Sequence, residues 1–355
     1  MDMSRRGFLA AAAAACFSSA AQAAGLMGTQ TGERMIIDNV DRFCVREPLF
    51  EGPRVVLGFL GEKYTPAYIQ GISGAAFRIA GPCPCAPTCS TQMFTTDLLK
   101  LLGYQYTENI LRRTGDVDDA KRNMVALIPK IKDSIRARRP VLLWYAFRDM
   151  AYEVVVGYDD AEGVFLGWHA YQGPEEGLAK AKQTRAQETP TYCPALGAIF
   201  VGGKVGALDA RAAEIAALKE AVRHARDTKV RQDMFRREGL LAYDGWVEKF
   251  KQPEAKREAG DSYCHNIYSS THRAAGEFLK EITPRYPRAT DNLAKAATEF
   301  AAEADALDKA GSLIGWQSPE QDADRDAKLW PLLAEARDHY AAAIARIEEA
   351  LPLLG

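Results

Sequence analysis

The stretch from Pro140 to Trp168 constrains the fold more than any other. Val141–Ala146, Tyr152–Tyr158 and Val164–Trp168 are apolar runs rich in β-formers, and Asp159-Asp160-Ala161-Glu162-Gly163 has the composition of a hairpin turn. A run such as "EVVVGY" is apolar at nearly every position rather than at alternate ones, so burial on both faces is expected. Thr96–Leu102 and Asp116–Ala137 read as helices. The second opens with acidic residues, closes on Arg136, Arg138 and Arg139 as a helix dipole favours, and is stopped by Pro140. Pro190–Val201 reads as one more strand.

From about Leu208 the texture changes to Ala, Glu, Lys and Arg at helical spacing. Asp209–Arg226, Lys229–Phe250, Ser270–Glu281, Ala289–Lys309 and Asp326–Leu351 read as helices, punctuated by Pro284, Pro287 and Pro319. Ile215, Leu218 and Val222 share one face, as do Ile344, Ile347 and Leu351. The charged faces read as solvated surface, and His224 and His339 within them as surface residues. The expected organisation is therefore an α+β domain over residues 24–205 followed by an all-helical domain over 206–355.

Residues 1–23 read as a leader. Ser4-Arg5-Arg6-Gly7-Phe8-Leu9, a short alanine-rich run and Ala21-Gln22-Ala23 resemble a twin-arginine export signal cleaved after Ala23, which implies a periplasmic or secreted protein. That route carries chains already folded, often around a metal or cofactor. No later segment is long and apolar enough to span a bilayer. A net charge of −2 gives no electrostatic case for nucleic acid or an anionic membrane as partner. The partner classes left are a small molecule, a peptide or a metal ion.

Cleavage would remove Cys16 and leave Cys44, Cys83, Cys85, Cys89, Cys193 and Cys264. Three of these crowd into Cys83-Pro84-Cys85-Ala86-Pro87-Thr88-Cys89, where the prolines disfavour a helix. Three readings are open. The thiols can hold Cu(I) or Zn, completed by Cys193, Cys264, His265 or His272. Two of them can form disulfides with Cys193 and Cys264 in an oxidising compartment. One can be a reactive thiol. Cys264-His265-Asn266 carries the side chains of a thiol-protease site, but sequence neighbours seldom face one another. Glu153, opening an apolar strand, is an acid–base candidate if buried and a wet strand end if not. Tyr243, Trp246, Tyr263 and Tyr268 can line a pocket or staple helices together.

Three strings, "YIQGISGAAFRI" (68–79), "EVVVGYDD" (153–160) and "YCHNIYSSTHRAAGEFL" (263–279), resemble a bacterial family related to the N-terminal domain of the butirosin-pathway acyltransferase. The resemblance implies a papain-like fold, akin to bacteriocin-processing cysteine peptidases, with the helical domain packed across its cleft. It also implies a nucleophilic cysteine at the start of a first helix, here Pro53–Leu60, and a histidine at the start of a central strand. Gly52 and Tyr152-Glu153 stand in those places, so the dyad is absent and direct peptidase activity is not expected. The resemblance puts the three-cysteine loop, Phe77 and Arg78 beside the cleft. There Arg78 can pair with a carboxylate ligand or form a fold-stabilising salt bridge, and Gly71 and Gly74 permit close approach or unusual dihedrals.

The first functional expectation is an exported protein that binds a soft metal or metal-linked ligand through Cys83, Cys85, Cys89 and His265. The alternative is a cysteine-dependent amide or thioester hydrolase or acyltransferase, in which a thiol such as Cys264 attacks and His265 or Glu153 handles the proton. A disulfide-stapled interaction module is the third.

Overall fold

A computed structural model describes residues 34–81, 86–90, 92–230, 237–252, 259–314 and 322–355. The chain divides into two compact units. The first comprises the residues up to Cys44, Pro48–Tyr64 and Leu99–Ala207; the second comprises Val45–Glu47, Thr65–Leu98 and Leu208–Gly355. The change of texture at Leu208 thus coincides with one division. The segment Thr65–Leu98, expected in the mixed half, belongs instead with the helices. The leader lies outside the described residues. No helix among the described residues is long and apolar enough to cross a membrane.

The first unit is built on an antiparallel sheet. Its strands are β1 (Arg34–Ile36), β3 (Tyr104–Asn109), β4 (Val141–Trp144), β5 (Tyr152–Asp159), β6 (Val164–Trp168), β7 (Ala179–Lys182) and β8 (Ala198–Lys204), in the order β3-β8-β4-β5-β6-β7. β4 pairs with the first half of β5 and β1 with the second, while β6 lines the other edge. All eight residues of β5 are buried, as the unbroken apolar run requires. Two helices pack on the sheet, α1 (Glu51–Phe59) and α5 (Val117–Arg136). The Asp116 carboxylate caps α5 by accepting the amides of Asp118 and Asp119 at 2.9 and 3.0 Å. Met124, Leu127, Ile131 and Ile135 form its buried stripe.

The second unit holds α2 (Pro66–Ile72), α3 (Ala86–Cys89), α6 (Ala210–Ala225), α7 (Gly239–Lys251), α8 (Ala259–Ile282), α9 (Thr290–Ile314) and α10 (Ala323–Ala350). A short ribbon pairs β2 (Ala80–Gly81) with β9 (Arg237–Glu238). The remaining helix, α4 (Thr95–Leu101), contains the division at Leu98. Three expectations change here. The helix expected from Lys229 begins at Gly239, after β9; the one expected from Ser270 begins at Ala259; and Ala86–Cys89 forms a helical turn despite its prolines.

The string Tyr68–Ile79 threads through this core, and side chains of α8 and α10 satisfy its backbone. Tyr340 Oη donates to the Phe77 carbonyl at 2.9 Å, and His272 Nε2 to the Arg78 carbonyl at 2.8 Å. Tyr268 Oη exchanges hydrogen bonds with both backbone groups of Ala80. The Phe77 ring packs on Phe278 and Phe300, with centroids 5.9 and 5.6 Å away. Gly71 meets the face of Phe278, where an added Cβ would lie 2.2 Å from the ring, and Gly74 adopts φ +77°. Close approach and an unusual dihedral both occur, for the sake of packing. Phe77 is 1 % exposed and Arg78 5 %, so both stand in the packed interior instead of at a surface open to ligand.

Candidate functional site

Strand register in the first unit builds a compact acid–base cluster. Val154 pairs with Trp168 across β5 and β6, so Glu153 and His169 are neighbours one step further on. Before β5 the chain leaves β4 through a turn in which Tyr145 has φ +57° and the Tyr145 amide donates to the Ala151 carbonyl at 3.1 Å. That turn delivers Asp149 to the same place. One ligand atom from each of Asp149, Glu153 and His169 lies within 4.8 Å of the others.

Glu153 is fully buried, so the wet-strand-end reading is overturned. Its carboxylate accepts the amides of Phe147, Arg148 and Asp149 at 2.5, 3.2 and 3.1 Å and fixes the turn. Burial first, and the charge of Asp149 second, push its pKa well above the usual carboxylate range against those three hydrogen bonds. His169 is 7 % exposed, and its Nδ1 accepts the Tyr171 amide at 3.3 Å. Asp149 Oδ2 is buried, and among the described residues no hydrogen-bond donor reaches it. Nδ1 of His169 is 3.3 Å away, but the lone pair of that nitrogen already receives the Tyr171 N–H. Two acceptor atoms therefore lie side by side, next to a second carboxyl group. Low polarity makes that arrangement unfavourable unless a proton or a cation lies between them.

Among the sequence-derived candidates, the structure keeps Glu153 and sets His169 and Asp149 beside it. The signal for Asp149 was a carboxylate four residues before Glu153, in the turn ahead of an apolar strand. Cys83 and Cys85 lie outside the described residues. Cys89 ends α3 as a half-buried thiol. Cys193 and Cys264 also remain thiols, which removes the disulfides expected between them and the loop. Cys44 is disulfide-bonded, and its partner lies outside the described residues.

Cys264 and His265 face different ways, as successive residues on a helix must. Cys264 lines a cavity beside Tyr268, while His265 donates Nε2–H to the Leu307 carbonyl at 2.7 Å and sits over Gly311. Burial lowers the pKa of His265 and keeps it neutral. His265 thus serves the α8–α9 contact and is not a proton acceptor for its neighbour. His272 is committed to Glu303 and to the Arg78 carbonyl.

The position that the resemblance assigns to a nucleophile is closed. A Cβ on Gly52 would lie 2.4 Å from the Tyr152 carbonyl oxygen and 3.1 Å from Leu142. Glu51, just before it, is fully buried and tied to Arg54 at 2.7 Å. No protein-family model matches the chain, and no curated protein matches it.

Proposed function

We propose that this protein binds a divalent cation through Asp149, Glu153 and His169. The observation that carries the reading is the buried Asp149 Oδ2, which lacks a donor among the described residues and lies 3.3 Å from His169 Nδ1, beside Glu153. Two carboxylate oxygens and one imidazole nitrogen form a harder donor set than the thiolates of the loop. They suit Zn, Mn or Fe(II) better than Cu(I). Three protein donors also leave a position in a tetrahedral shell for an exchangeable ligand. The lack of space at Gly52 and the commitment of His265 to the Leu307 carbonyl speak against a thiol-dependent amide or thioester enzyme. The export-signal resemblance fits a protein loaded before it leaves the cytoplasm.

Metal content of the full chain, purified after native export, tests this, together with calorimetric titration of the stripped protein with Zn2+, Mn2+ and Cu+. Near-stoichiometric binding should be lost in Asp149→Asn and His169→Ala and kept in Cys89→Ser. Absence of bound metal and of any binding heat would sink the proposal. Loss of binding in Cys89→Ser but not in Asp149→Asn would move the site to the thiol loop.

The raised pKa of Glu153 favours a second reading, in which the cluster shares a proton and acts as a general acid–base group. A metal-free protein whose Glu153 carboxyl stays protonated at neutral pH by infrared difference spectroscopy would support it.

A further inference from the structure

The helical unit contains a cavity of about 580 Å³, within the size range of small-molecule sites. Its walls come from β2, β9, α7 and α8, and the lining is mostly apolar. Trp246, Tyr268, Ala80 and Ala242 line it. Gly81 also lines it, and a Cβ added there would meet nothing within 4 Å among the described residues.

Most polar groups around the cavity are already engaged. The Asp261 carboxylate, 4 % exposed, accepts from Trp246 Nε1 at 3.2 Å and from Lys249 Nζ at 2.6 Å, which neutralises both charges within the wall. Glu248 pairs with Lys251 at 2.7 Å. The Tyr268 hydroxyl is held by the Ala80 backbone and offers the cavity only its ring. Arg237 is different. It is exposed, its guanidinium lies alongside Gly245, and it forms no ion pair among the described residues. A cation with no ion-pair partner among the described residues, at the edge of an aromatic and aliphatic cavity, selects an amphipathic anion.

We infer that this cavity binds an apolar monocarboxylic acid, with its hydrocarbon body against Trp246 and Tyr268 and its carboxylate on Arg237. The site is separate from the Asp149–Glu153–His169 cluster and does not depend on it. Cys264, 5 % exposed in the same wall, reports occupancy, because a bound acyl or arylalkyl chain covers its thiol.

The test uses the full chain, with decanoate as the acid and 1-decanol as its uncharged counterpart, each displacing the fluorescent fatty acid cis-parinarate. Wild-type protein should bind both saturably. Arg237→Gln should weaken decanoate by roughly tenfold, as loss of a charge-assisted pair does, and leave decanol unchanged. Gly81→Leu, which adds a side chain to the lining, should weaken both. Decanoate should also slow alkylation of Cys264 by N-ethylmaleimide in wild-type protein, which needs no variant to fold. Absence of saturable binding, or unaltered Cys264 alkylation at saturating decanoate, overturns the site. An equal effect of Arg237→Gln on acid and alcohol overturns the assignment of the headgroup.

Discussion

His224 makes the helical unit sensitive to acid in a way that can be worked through quantitatively. It is 3 % exposed, with Nε2 2.9 Å from the Ile79 carbonyl and 3.1 Å from the Ile79 amide. Burial first, and the charge of Arg78 second, outweigh the hydrogen bond with Ile79 and bring its pKa to about 3 from an ordinary value of 6.5. Arg223 and His272 add positive charge in the same sense, and the Glu238 carboxylate at 3.7 Å from Nδ1 does not reverse it.

Between those two values the unfolded chain binds a proton at this position and the folded chain does not. Stability must therefore fall as the pH falls. Over about two pH units, from 6.5 to about 4.5, the loss is about 2.7 kcal/mol at 1.36 kcal/mol per unit. His272 does not contribute to this slope. Burial pulls its pKa down, but Glu303 raises it above 6.5 overall, so its stabilising effect is complete below 6.5 and is lost only as the pH rises through the higher value. Imidazole NMR should show a His224 resonance that does not titrate from neutral pH to about 4.5. Denaturant unfolding at the two pH values should show wild type losing about 2.7 kcal/mol more than His224→Gln, which keeps a polar group for Ile79 but cannot take up the proton. A His224 resonance titrating near 6.5, or parallel pH dependence in the two proteins, would refute the reasoning.

Three further outcomes follow from close contacts and buried charge. Gly71→Ala sets a methyl group 2.2 Å from the Phe278 ring and should lower stability by about 1–3 kcal/mol in thermal unfolding, with partial recovery in Gly71→Ala/Phe278→Leu. Gly52→Cys should not create a nucleophile: its Cβ would lie 2.4 Å from the Tyr152 carbonyl oxygen, so lowered stability without a fast-alkylating thiol is expected by mass spectrometry. Glu303→Gln removes the charge 2.6 Å from His272 Nδ1 inside a fully buried pair and should cost about 3–5 kcal/mol while bringing the His272 titration down.

What was legible in the sequence was local. β5 follows from an unbroken apolar run, and α5 from Asp116 at one end and Pro140 at the other, because caps and breakers act over a few residues. The start of α8 was not legible, since Asp261, Ser262 and Asn266 interrupt the apolar pattern. Asp261 bonds Trp246, and Asn266 donates to the Ser262 carbonyl inside the helix. His224 reads as surface among Ala, Arg and Glu, yet it faces Ile79, 145 residues away in the chain. The candidate site was half legible: Glu153 stands out in its strand, whereas Asp149 reaches it through a turn that sequence periodicity does not encode.

The alternation of segments between the two units sets an order in which they can be completed during synthesis. Every residue of the sheet unit has been made by Ala207, whereas the helical unit begins at Val45–Glu47 and needs residues up to the C-terminus. Phe77 must wait for Tyr340, 263 residues later, and Ala80 for Tyr268, 188 residues later. Closing such long loops is slow, so the "YIQGISGAAFRI" string spends most of translation without its final partners. A nascent chain halted near residue 207 would hold a complete sheet unit and an apolar tether exposed to chaperones. No single cut in the chain separates the two units, and expressing residues 206–355 alone would leave the helices without the segment whose backbone they satisfy.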